Sequence, residues 1–341
     1  MTISDRIHNN RKDDKEKKLY PDYTGKTMNI EITSLCNADC IYCPCAASGS
    51  TKKRNYIDEQ FFFRITREAR ELGVSDIGLY VDGDPFMNQS LYRYVEYLKK
   101  ELQYSYVFIS TNGILCTHEN LEKLAKAGID SIKFSVSASN QKSYLQHHGR
   151  DAFEKVVDNI RYADEYRKKN NLNYKLYMFS ILTRYNVEEK EEIEKIFGAY
   201  VDEIVFKSVA EGTEKVIGMK EFLMIDEEIE TENPCIPCNF LFDRIVISEK
   251  GYLHVCCDLE STLGIVEDLK DKKLKDVLYG ERMVNIRKMH LDNKVEGTLC
   301  DLCANGRGGI LKPFSEDMGI EPHLIECTDI TERVKERFQI S

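Results

Sequence analysis

The sequence lacks tryptophan, and it contains no apolar run that approaches the roughly 20 residues of a membrane-spanning helix. Its first 20 residues are polar and highly charged, without the apolar segment of a secretory signal. These absences predict a cytoplasmic protein that has no membrane partner. Because disulfides are rare in that compartment, the 12 cysteines need another explanation, and metal binding is the first to test.

A surplus of positive charge is also missing, since 48 basic side chains stand against 58 acidic ones and the formal net charge is −10. That balance argues against nucleic acid as the main partner. Hydrophobic residues make up 42% of the 341 positions, which is typical of a globular chain and excludes general disorder. At this length we expect one large domain and a smaller one.

Apolar segments of strand length alternate with helical patterns from Met28 onward. The predicted strands are 28–33, 76–81, 106–110, 131–136, 174–181 and 203–207, and the predicted helices are 58–72, 90–102, 118–127, 151–169 and 187–200. Such alternation is typical of βαβ units in a parallel sheet. Because six strands are too few for a closed barrel of eight, the sequence predicts an α/β fold built as a partial (β/α)6 barrel.

The alternation stops after about residue 212, and a small C-terminal α+β unit follows. It contains a predicted hairpin (244–248 and 252–256), a helical stretch (274–291) and six of the cysteines, with too little core to be stable without a metal centre. We therefore expect a charged, disordered leader (1–27), the barrel (28–212), an auxiliary metal-binding domain (213–312) and a C-terminal tail (313–341).

Three cysteines follow the first predicted strand closely, in the sequence SLCNADCIYCPC. Cys36, Cys40 and Cys43 have the spacing Cys-x3-Cys-x2-Cys, which brings three thiolates together on one loop. Such soft ligands suit zinc or an iron–sulfur cluster. A closed site of either kind needs a fourth thiolate, for which Cys45 is the local candidate.

This cysteine loop resembles the signature of the radical S-adenosylmethionine (radical SAM) superfamily, in which a Cys-x3-Cys-x2-Cys loop follows the first barrel strand. The resemblance implies that the three cysteines hold a [4Fe–4S] cluster whose fourth iron binds S-adenosylmethionine. It also implies that Tyr42 lies beside the adenine and that Cys45 is not a ligand. Three thiolates leave one metal position open, as catalytic metal sites generally do.

Shorter motifs follow the later strands in the order expected for this superfamily. Asp82-Gly83-Asp84-Pro85 resembles a Gly-Gly-Glu-Pro turn that meets the methionine ammonium group, with Asp84 one methylene shorter than Glu. Ser110-Thr111-Asn112-Gly113 resembles the ribose-contacting segment. The resemblance implies that the cofactor is bound by side chains at successive strand ends, namely Tyr42, Gly83, Asp84, Pro85, Ser110, Asn112, Ser135, Ser137 and Arg150.

A second set of cysteines brackets the predicted hairpin and helix. Its pattern resembles the auxiliary-cluster extensions called SPASM and twitch, and the lack of a dense cysteine block favours the single-cluster twitch arrangement. The resemblance implies one auxiliary [4Fe–4S] cluster, held by Cys238, Cys256, Cys300 and Cys303. A closed zinc site is the alternative, and Cys235 could replace Cys238, as Cys257 could replace Cys256. Otherwise Cys235, Cys257 and Cys327 could be buried small apolar side chains, and no role is predicted for Cys116.

The resemblance also implies the chemistry. An electron from a reductant such as flavodoxin or ferredoxin leads to a 5′-deoxyadenosyl radical, which removes a hydrogen atom from an unactivated C–H bond. If the auxiliary cluster accepts a further electron, the net reaction is oxidation of a hydroxyl group; if a thiol returns a hydrogen atom, it is epimerisation. The candidate bases and hydrogen donors are Lys207, Arg307, Cys257, Glu211, His147 and His148.

The substrate class is indicated by the short leader. About 27 residues precede the first predicted strand, which favours a small polar substrate over a peptide, such as a sugar, sugar nucleotide or aminocyclitol. We expect carbohydrate oxidation first, carbohydrate epimerisation second and peptide modification third. A zinc-binding scaffold is the non-enzymatic alternative, although a scaffold would not need these motifs at successive strand ends.

Overall fold

The computed structural model describes residues 2–8, 17–43, 55–209, 216–225, 236–259, 261–307, 309–321, 323–324 and 328–340. The strands are β1 Thr27–Ile30, β2 Asp76–Gly78, β3 Tyr106–Thr111, β4 Ser131–Ser135, β5 Lys175–Leu182, β6 Glu203–Ser208, β7 Val216–Ile217, β8 Arg244–Ile247, β9 Tyr252–His254, β10 Ile265–Asp268, β11 Ile310–Leu311, β12 His323–Leu324 and β13 Thr328–Asp329. The helices are α1 Ile3–His8, α2 Glu59–Glu71, α3 Leu91–Glu96, α4 His118–Ala127, α5 Gln141–His148, α6 Phe153–Lys169, α7 Lys190–Phe197, α8 Phe240–Asp243, α9 Leu274–Leu278, α10 Glu281–Leu291, α11 Leu299–Asn305 and α12 Thr331–Phe338. Within these ranges, no helix has the length and apolar character needed to cross a membrane.

Within the described residues, nine strands form one sheet in the order β10-β9-β8-β1-β2-β3-β4-β5-β6. From β8 to β6 all neighbouring strands run parallel. The last two, β9 and β10, are antiparallel to their neighbours. The sheet does not close on itself, because β10 and β6 lie at its two edges. This confirms the predicted open α/β barrel with a small α+β unit after it.

The parallel strands present alternate side chains to two faces. Ile109 and Ile132 belong to the main core, which they form together with the helices. Phe108 and Tyr177, at intervening positions, pack with Ile7 in a separate cluster on the other face. We call the space on this second face the lumen. The side chains at intervening strand positions, which point away from the helices, therefore line the lumen.

Helix α1 closes the end of the lumen where the strands begin. The N–H of Ile3 donates to Glu203 Oε2 at 2.8 Å, Arg6 Nε donates to Asp76 Oδ2 at 2.7 Å, and Ile7 is fully buried. The predicted disordered leader is therefore wrong for residues 2–8. This six-residue helix has only two isoleucines, one turn apart, and so short a pattern does not reveal a helix from sequence periodicity.

The observed elements differ from the predicted ones in four ways. Strand β8 pairs in parallel with β1, so the hairpin extends the barrel sheet instead of forming its own. The predicted 274–291 helix is divided into α9 and α10, because the extended backbone of Gly280 (φ −71°, ψ 163°) ends the helical path. The tail carries helix α12, and α5 was likewise not predicted. The boundary expected near residue 212 lies outside the described residues.

Candidate active site

The three clustered cysteines lie on the loop after β1, at the sheet edge where parallel strands end and ligands usually bind. The turn after β2 packs directly on this loop. A Cβ atom at Gly83 would lie 2.1 Å from the carbonyl oxygen of Thr33 and 2.7 Å from that of Leu35. The N–H of Asp84 donates to the same Leu35 carbonyl at 2.8 Å. Gly83 is therefore required for the close approach of two backbones.

The protein around these thiols disfavours their charged form. Burial raises the pKa of Cys36 to about 11, although part of this residue is open to solvent. Burial also raises the pKa of Cys40 well above its usual value. The neighbouring Cys43 raises both values further, because like charges repel. Three thiolates at this place therefore need a cation to balance them.

The three thiols of the loop fit an iron–sulfur cluster. Among the described residues, no group of three or more His, Cys, Asp or Glu side chains is arranged to hold one metal ion. In an iron–sulfur cluster each thiolate can bind a different iron, so the thiols do not have to converge on a single ion.

His148 connects the cysteine loop to the end of β4. The N–H of Ser137 donates to His148 Nε2 at 3.0 Å, so this nitrogen carries no proton. The ring proton is thus on Nδ1, which lies 3.3 Å from Cys40 Sγ and donates to it. Burial lowers the pKa of His148 to about 3, which keeps the imidazole neutral. Cys40 therefore receives a hydrogen bond from a buried, neutral histidine.

Asp84 is buried, and both of its carboxylate oxygens are engaged within the protein. Oδ2 accepts from Thr111 Oγ1 at 2.8 Å and from Asn112 N at 2.9 Å, and Oδ1 accepts from Phe86 N at 3.0 Å. Burial raises the pKa of this carboxyl group. The side chain ties the turn after β2, where Pro85 begins a short helix, to the end of β3. The predicted contact of Asp84 with the methionine ammonium group stays a prediction.

Asn112, Ser110 and Ser135 lie at the carboxyl ends of the neighbouring strands β3 and β4. Asn112 Nδ2 donates to Asn37 Oδ1 at 2.7 Å and lies 3.7 Å from Cys36 Sγ, within hydrogen-bonding distance of sulfur. The hydroxyl oxygens of Ser110 and Ser135 are 3.4 Å apart on adjacent strands. These three side chains therefore lie between the cysteine loop and the lumen.

Three other residues predicted to bind the cofactor brace the cysteine loop. Tyr42 OH donates to Ser137 Oγ at 3.1 Å, and Ser137 Oγ also accepts from Ile181 N at 2.9 Å. Arg150 Nε donates to the carbonyl oxygen of Asn37 at 2.6 Å. These contacts position the loop, and the predicted contacts with the cofactor stay predictions.

Helix α12 holds the loop from another side. Arg337 Nη1 donates to the carbonyl oxygen of Asp39 at 2.5 Å, and its Nη2 forms an ion pair with the Asp39 carboxylate. Arg333 Nη1 donates to the carbonyl oxygen of Cys40 at 3.2 Å. The sequence contained no signal for this contact, because the two segments are almost 300 residues apart.

Lys133 lies in the middle of β4, and sequence reasoning missed it. Only 7% of its surface is exposed. Its Nζ lies 4.6 Å from the ring centroid of Phe179 and 5.4 Å from that of Tyr80. Burial lowers the pKa of Lys133 to about 8. A lysine between the apolar Ile132 and Phe134 of a strand is the signal that could have found it, because alternation places it on the lumen face.

Cys257 and Arg244 lie within electrostatic range of Lys133. Arg244 is held by hydrogen bonds to Asn29 Oδ1 at 3.0 Å and to the carbonyl oxygen of Ile7 at 2.7 Å. Cys257 is exposed, yet the surrounding protein removes enough hydration from its thiol to raise its pKa to about 12. The Cys257 thiol therefore keeps its proton at neutral pH.

The other candidate bases differ in where they lie. Lys207 is exposed near the end of the edge strand β6, two residues after Val205, so alternation places it on the lumen face. Arg307 forms an ion pair with Asp301 at 2.6 Å, with more than half of its side chain exposed. His147 uses both ring nitrogens in hydrogen bonds within the protein. Glu211 lies outside the described residues. The geometry thus gives Arg307 and His147 structural contacts rather than a place in the lumen.

The predicted ligands of the second cluster surround the hairpin. Cys256 follows β9, Cys300 and Cys303 are one turn apart on α11, and the N–H of Cys238 donates to His290 Nδ1 at 3.3 Å. The ring proton of His290 is therefore on Nε2, which is buried without a hydrogen-bond partner among the described residues. A buried donor beside a predicted ligand fits a bound group with acceptor atoms, such as cluster sulfur.

The remaining cysteines divide into one that the structure describes and three that it does not. Cys116 is fully buried in the main core, where burial raises its pKa and it serves as a small apolar side chain. Cys45, Cys235 and Cys327 lie outside the described residues. Their predicted roles therefore stay predictions.

An open parallel barrel with a three-cysteine loop after its first strand defines a class of metal-dependent α/β-barrel proteins. The family model of the radical SAM superfamily matches residues 30–205, just over half of the chain. The chain therefore belongs to the radical SAM superfamily. A second model, the iron–sulfur cluster-binding SPASM domain, matches residues 238–305. The recognition made from the sequence is confirmed, and the two family models imply S-adenosylmethionine and [4Fe–4S] clusters as cofactors.

Related sequences match part of the chain. GTP 3′,8-cyclase of Clostridium acetobutylicum is 27% identical over 133 residues, which cover 39% of this chain and 41% of that protein. A probable GTP 3′,8-cyclase of Saccharolobus solfataricus is 29% identical over 136 residues, which cover 40% and 42%. The chain thus spans about two fifths of the length of these relatives.

Solved structures share the fold at low sequence identity. The anSMEcpe structure with bound AdoMet has a TM-score of 0.59 at 13% identity, covering 92% of this chain and 96% of that one. SuiB of Streptococcus suis, bound to the precursor peptide SuiA, has a TM-score of 0.60 at 16% identity, covering 78% and 67%. BtrN in complex with AdoMet and 2-DOIA has a TM-score of 0.52 at 17% identity, covering 83% and 93%. These likenesses show a common fold.

Proposed function

We propose that this enzyme is a radical SAM dehydrogenase that oxidises a hydroxyl group of a small polar molecule, such as a sugar, sugar nucleotide or aminocyclitol. The first cluster is held by Cys36, Cys40 and Cys43. The auxiliary cluster is held by Cys238, Cys256, Cys300 and Cys303. The observation that carries the proposal is the lumen beside the cysteine loop, which combines the hydroxyls of Ser110 and Ser135 with the buried amine of Lys133.

When bound, the clusters and S-adenosylmethionine supply a 5′-deoxyadenosyl radical and an acceptor for one further electron. The chain supplies position and exclusion of water. His148 orients Cys40, while Asp84 and Asn112 hold the strand ends next to the loop. The partly open serine hydroxyls can donate to and accept from the hydroxyl groups of a substrate.

Epimerisation is the second candidate, and the Cys257 thiol supports it. This thiol lies within electrostatic range of Lys133, and its raised pKa keeps the S–H group that a hydrogen-atom donor needs. Return of a hydrogen atom from Cys257 to the opposite face of the substrate radical would invert one carbon without net oxidation of the substrate. The thiyl radical left on Cys257 would take up one electron from the external reductant and one proton.

Cyclisation of a purine nucleotide is a competing proposal, because the partial sequence relatives are GTP 3′,8-cyclases. We do not prefer it, since the similarity covers about two fifths of each protein. GTP nevertheless belongs among the compounds to be tested.

The test is anaerobic incubation of the reconstituted enzyme with S-adenosylmethionine, a reductant and a panel of aminocyclitols, sugars and sugar nucleotides that carry deuterium at their carbinol carbons. The proposal expects deuterium in 5′-deoxyadenosine together with a ketone product. A product that keeps the hydroxyl group but has the inverted configuration at that carbon would favour epimerisation over oxidation. A cyclised GTP product would overturn both proposals. The Cys36→Ala variant is the control and should form no 5′-deoxyadenosine.

A count of iron and sulfide tests the two sites separately. About eight irons per chain, falling to about four in a variant with alanine at positions 36, 40 and 43, would fit two [4Fe–4S] clusters. About four irons falling to none would contradict the auxiliary cluster. The oxidation would then lack its electron acceptor, and redox-neutral chemistry would be favoured.

A further inference from the structure

We infer that Lys133 is the base that accepts the hydroxyl proton of the substrate, an assignment that rests on the proposed dehydrogenase function. Lys133 sits in the sheet between Ser110 of β3 and Tyr177 of β5, its register partners. Its neighbours Ile132 and Phe134 are fully buried in the helical core. The side chain of Lys133 therefore extends into the lumen, beside the serine hydroxyls.

The surroundings of Lys133 favour a neutral amine, which can accept a proton. Within the described residues, the side-chain amine of Lys133 forms no hydrogen bond or ion pair, and its Nζ lies over the rings of Phe179 and Tyr80. A lysine that serves packing usually extends its ammonium group to solvent along its stem. The amine of Lys133 lies in the lumen and has no carboxylate partner among the described residues, so its ammonium form is only weakly favoured. Enzymes tune catalytic lysines in this way, by burial.

The reaction balances with Lys133 in this role. The substrate carbinol loses a hydrogen atom to the 5′-deoxyadenosyl radical, a proton to the Lys133 amine and one electron to the auxiliary cluster, and it leaves as a ketone. The C–H and O–H bonds break and the C=O double bond forms. A hydroxyl compound needs a base at this place, because its O–H proton has to leave when the C=O double bond forms.

The assignment has a definite pH dependence. The titratable and charged groups that face Lys133 are Tyr80, Tyr177, Cys257 and Arg244. Burial raises the pKa of both tyrosines and of the thiol, so these groups stay neutral between pH 7 and pH 9, while Arg244 stays cationic. Lys133 is the member of this set that titrates near pH 8. Because the neutral amine is the active form, ketone formation should rise with pH through about pH 8.

Lys133→Met and Lys133→Arg test the assignment on the full-length, reconstituted enzyme with a deuterated panel compound. Both variants should still transfer deuterium to 5′-deoxyadenosine, but ketone formation should fall by about a hundredfold or more, and its rise with pH should disappear. Lys190→Met is the matched control, since Lys190 also lies over a ring, that of Phe206, at 5.3 Å, but is exposed on a helix. Unchanged ketone formation and an unchanged pH profile in Lys133→Met would overturn the inference.

A measurement without substrate separates this inference from the proposed function. Trace acetylation of the holoenzyme with acetic anhydride, followed over pH by mass spectrometry of the Lys133 peptide, reports when the amine becomes reactive. We expect half-maximal labelling near pH 8, and labelling that begins only in the ordinary lysine range near 10.4 would contradict the assignment. If labelling occurs near pH 8 but no panel compound yields a ketone, the proposed function fails. If ketones form equally in wild type and Lys133→Met, the base assignment fails and the function stands.

Discussion

The Nδ1–H of His148 reaches Cys40 Sγ because two other contacts fix its ring. The N–H of Ser137 occupies Nε2, and Tyr144 stacks on the imidazole with 4.4 Å between ring centroids. Hydrogen bonds to the sulfur ligands of a cluster change its reduction potential. A donor stabilises the additional negative charge of the reduced state. His148 should therefore favour the uptake of the electron that starts the reaction.

Replacement of His148 by phenylalanine tests this residue. The variant keeps an aromatic ring against Tyr144 but removes the donor to Cys40, so the reduction potential of the first cluster should fall. At a fixed potential near the wild-type midpoint, the reduced fraction should decrease several-fold, measured by a redox titration that is followed by electron paramagnetic resonance.

His147→Phe is the matched control for that titration. His147 is also fully buried, but its hydrogen bonds go to Ser143 and Thr183 rather than to a cysteine. The potential of this variant should match that of the wild type. Equal potentials in the wild type and both variants would show that the hydrogen bond to Cys40 does not tune the cluster.

At the scale of elements, helix α12 is a brace for the cysteine loop. Arg333 and Arg337 are one turn apart, so both reach the Asp39–Cys40 backbone from the same face of the helix. The contact places two positive charges next to a loop whose thiolates carry negative charge. Part of the stability of the first cluster should therefore come from the C-terminal end of the chain.

Arg337→Gln should loosen this brace, because it removes the ion pair with Asp39 and weakens the hydrogen bonds to the loop carbonyls. We expect iron to leave the first cluster several-fold faster, while the auxiliary cluster is retained, measured as release to a chelator over time. Glu336→Gln, at an exposed position of the same helix, should release iron at the wild-type rate. Identical rates in both variants would argue against the brace.

At the scale of the whole molecule, the barrel and the C-terminal unit share one sheet. Strand β8 pairs with all four residues of β1, and Ile245 and Ile247 belong to the main core. Removal of the C-terminal unit would leave β1 as an edge strand with unpaired backbone groups and would open the core. The barrel should therefore not be stable by itself.

A chain that ends at residue 212 tests this dependence. It should aggregate or show no cooperative thermal unfolding by circular dichroism, because it lacks β8 and the core residues that follow. Full-length Cys300→Ala is the control, since it removes a predicted cluster ligand but keeps the β8–β1 pairing. This variant should unfold cooperatively, and an equally cooperative transition in the shortened chain would show that the barrel folds independently.

The amino-acid sequence by itself determined the alternation of parallel strands with helices, the open α/β barrel and the superfamily. Those features depend on local patterns: alternation within strands, helical periodicity, and the cysteines that directly follow β1. The residues at successive strand ends could be predicted as well, because parallel strands bring Asp84, Asn112 and Ser135 to one edge of the sheet.

Only the tertiary structure decided how distant segments meet. The contacts of α1 with Asp76, of His148 with Cys40, of α12 with the cysteine loop and of β8 with β1 join residues about 70 to almost 300 positions apart. No local pattern encodes such a pairing, since it depends on which faces remain uncovered after the sheet has formed. Lys133 shows the same limit, because its residue type was visible in the sequence, but its isolation between two aromatic rings in the lumen exists only in the folded molecule.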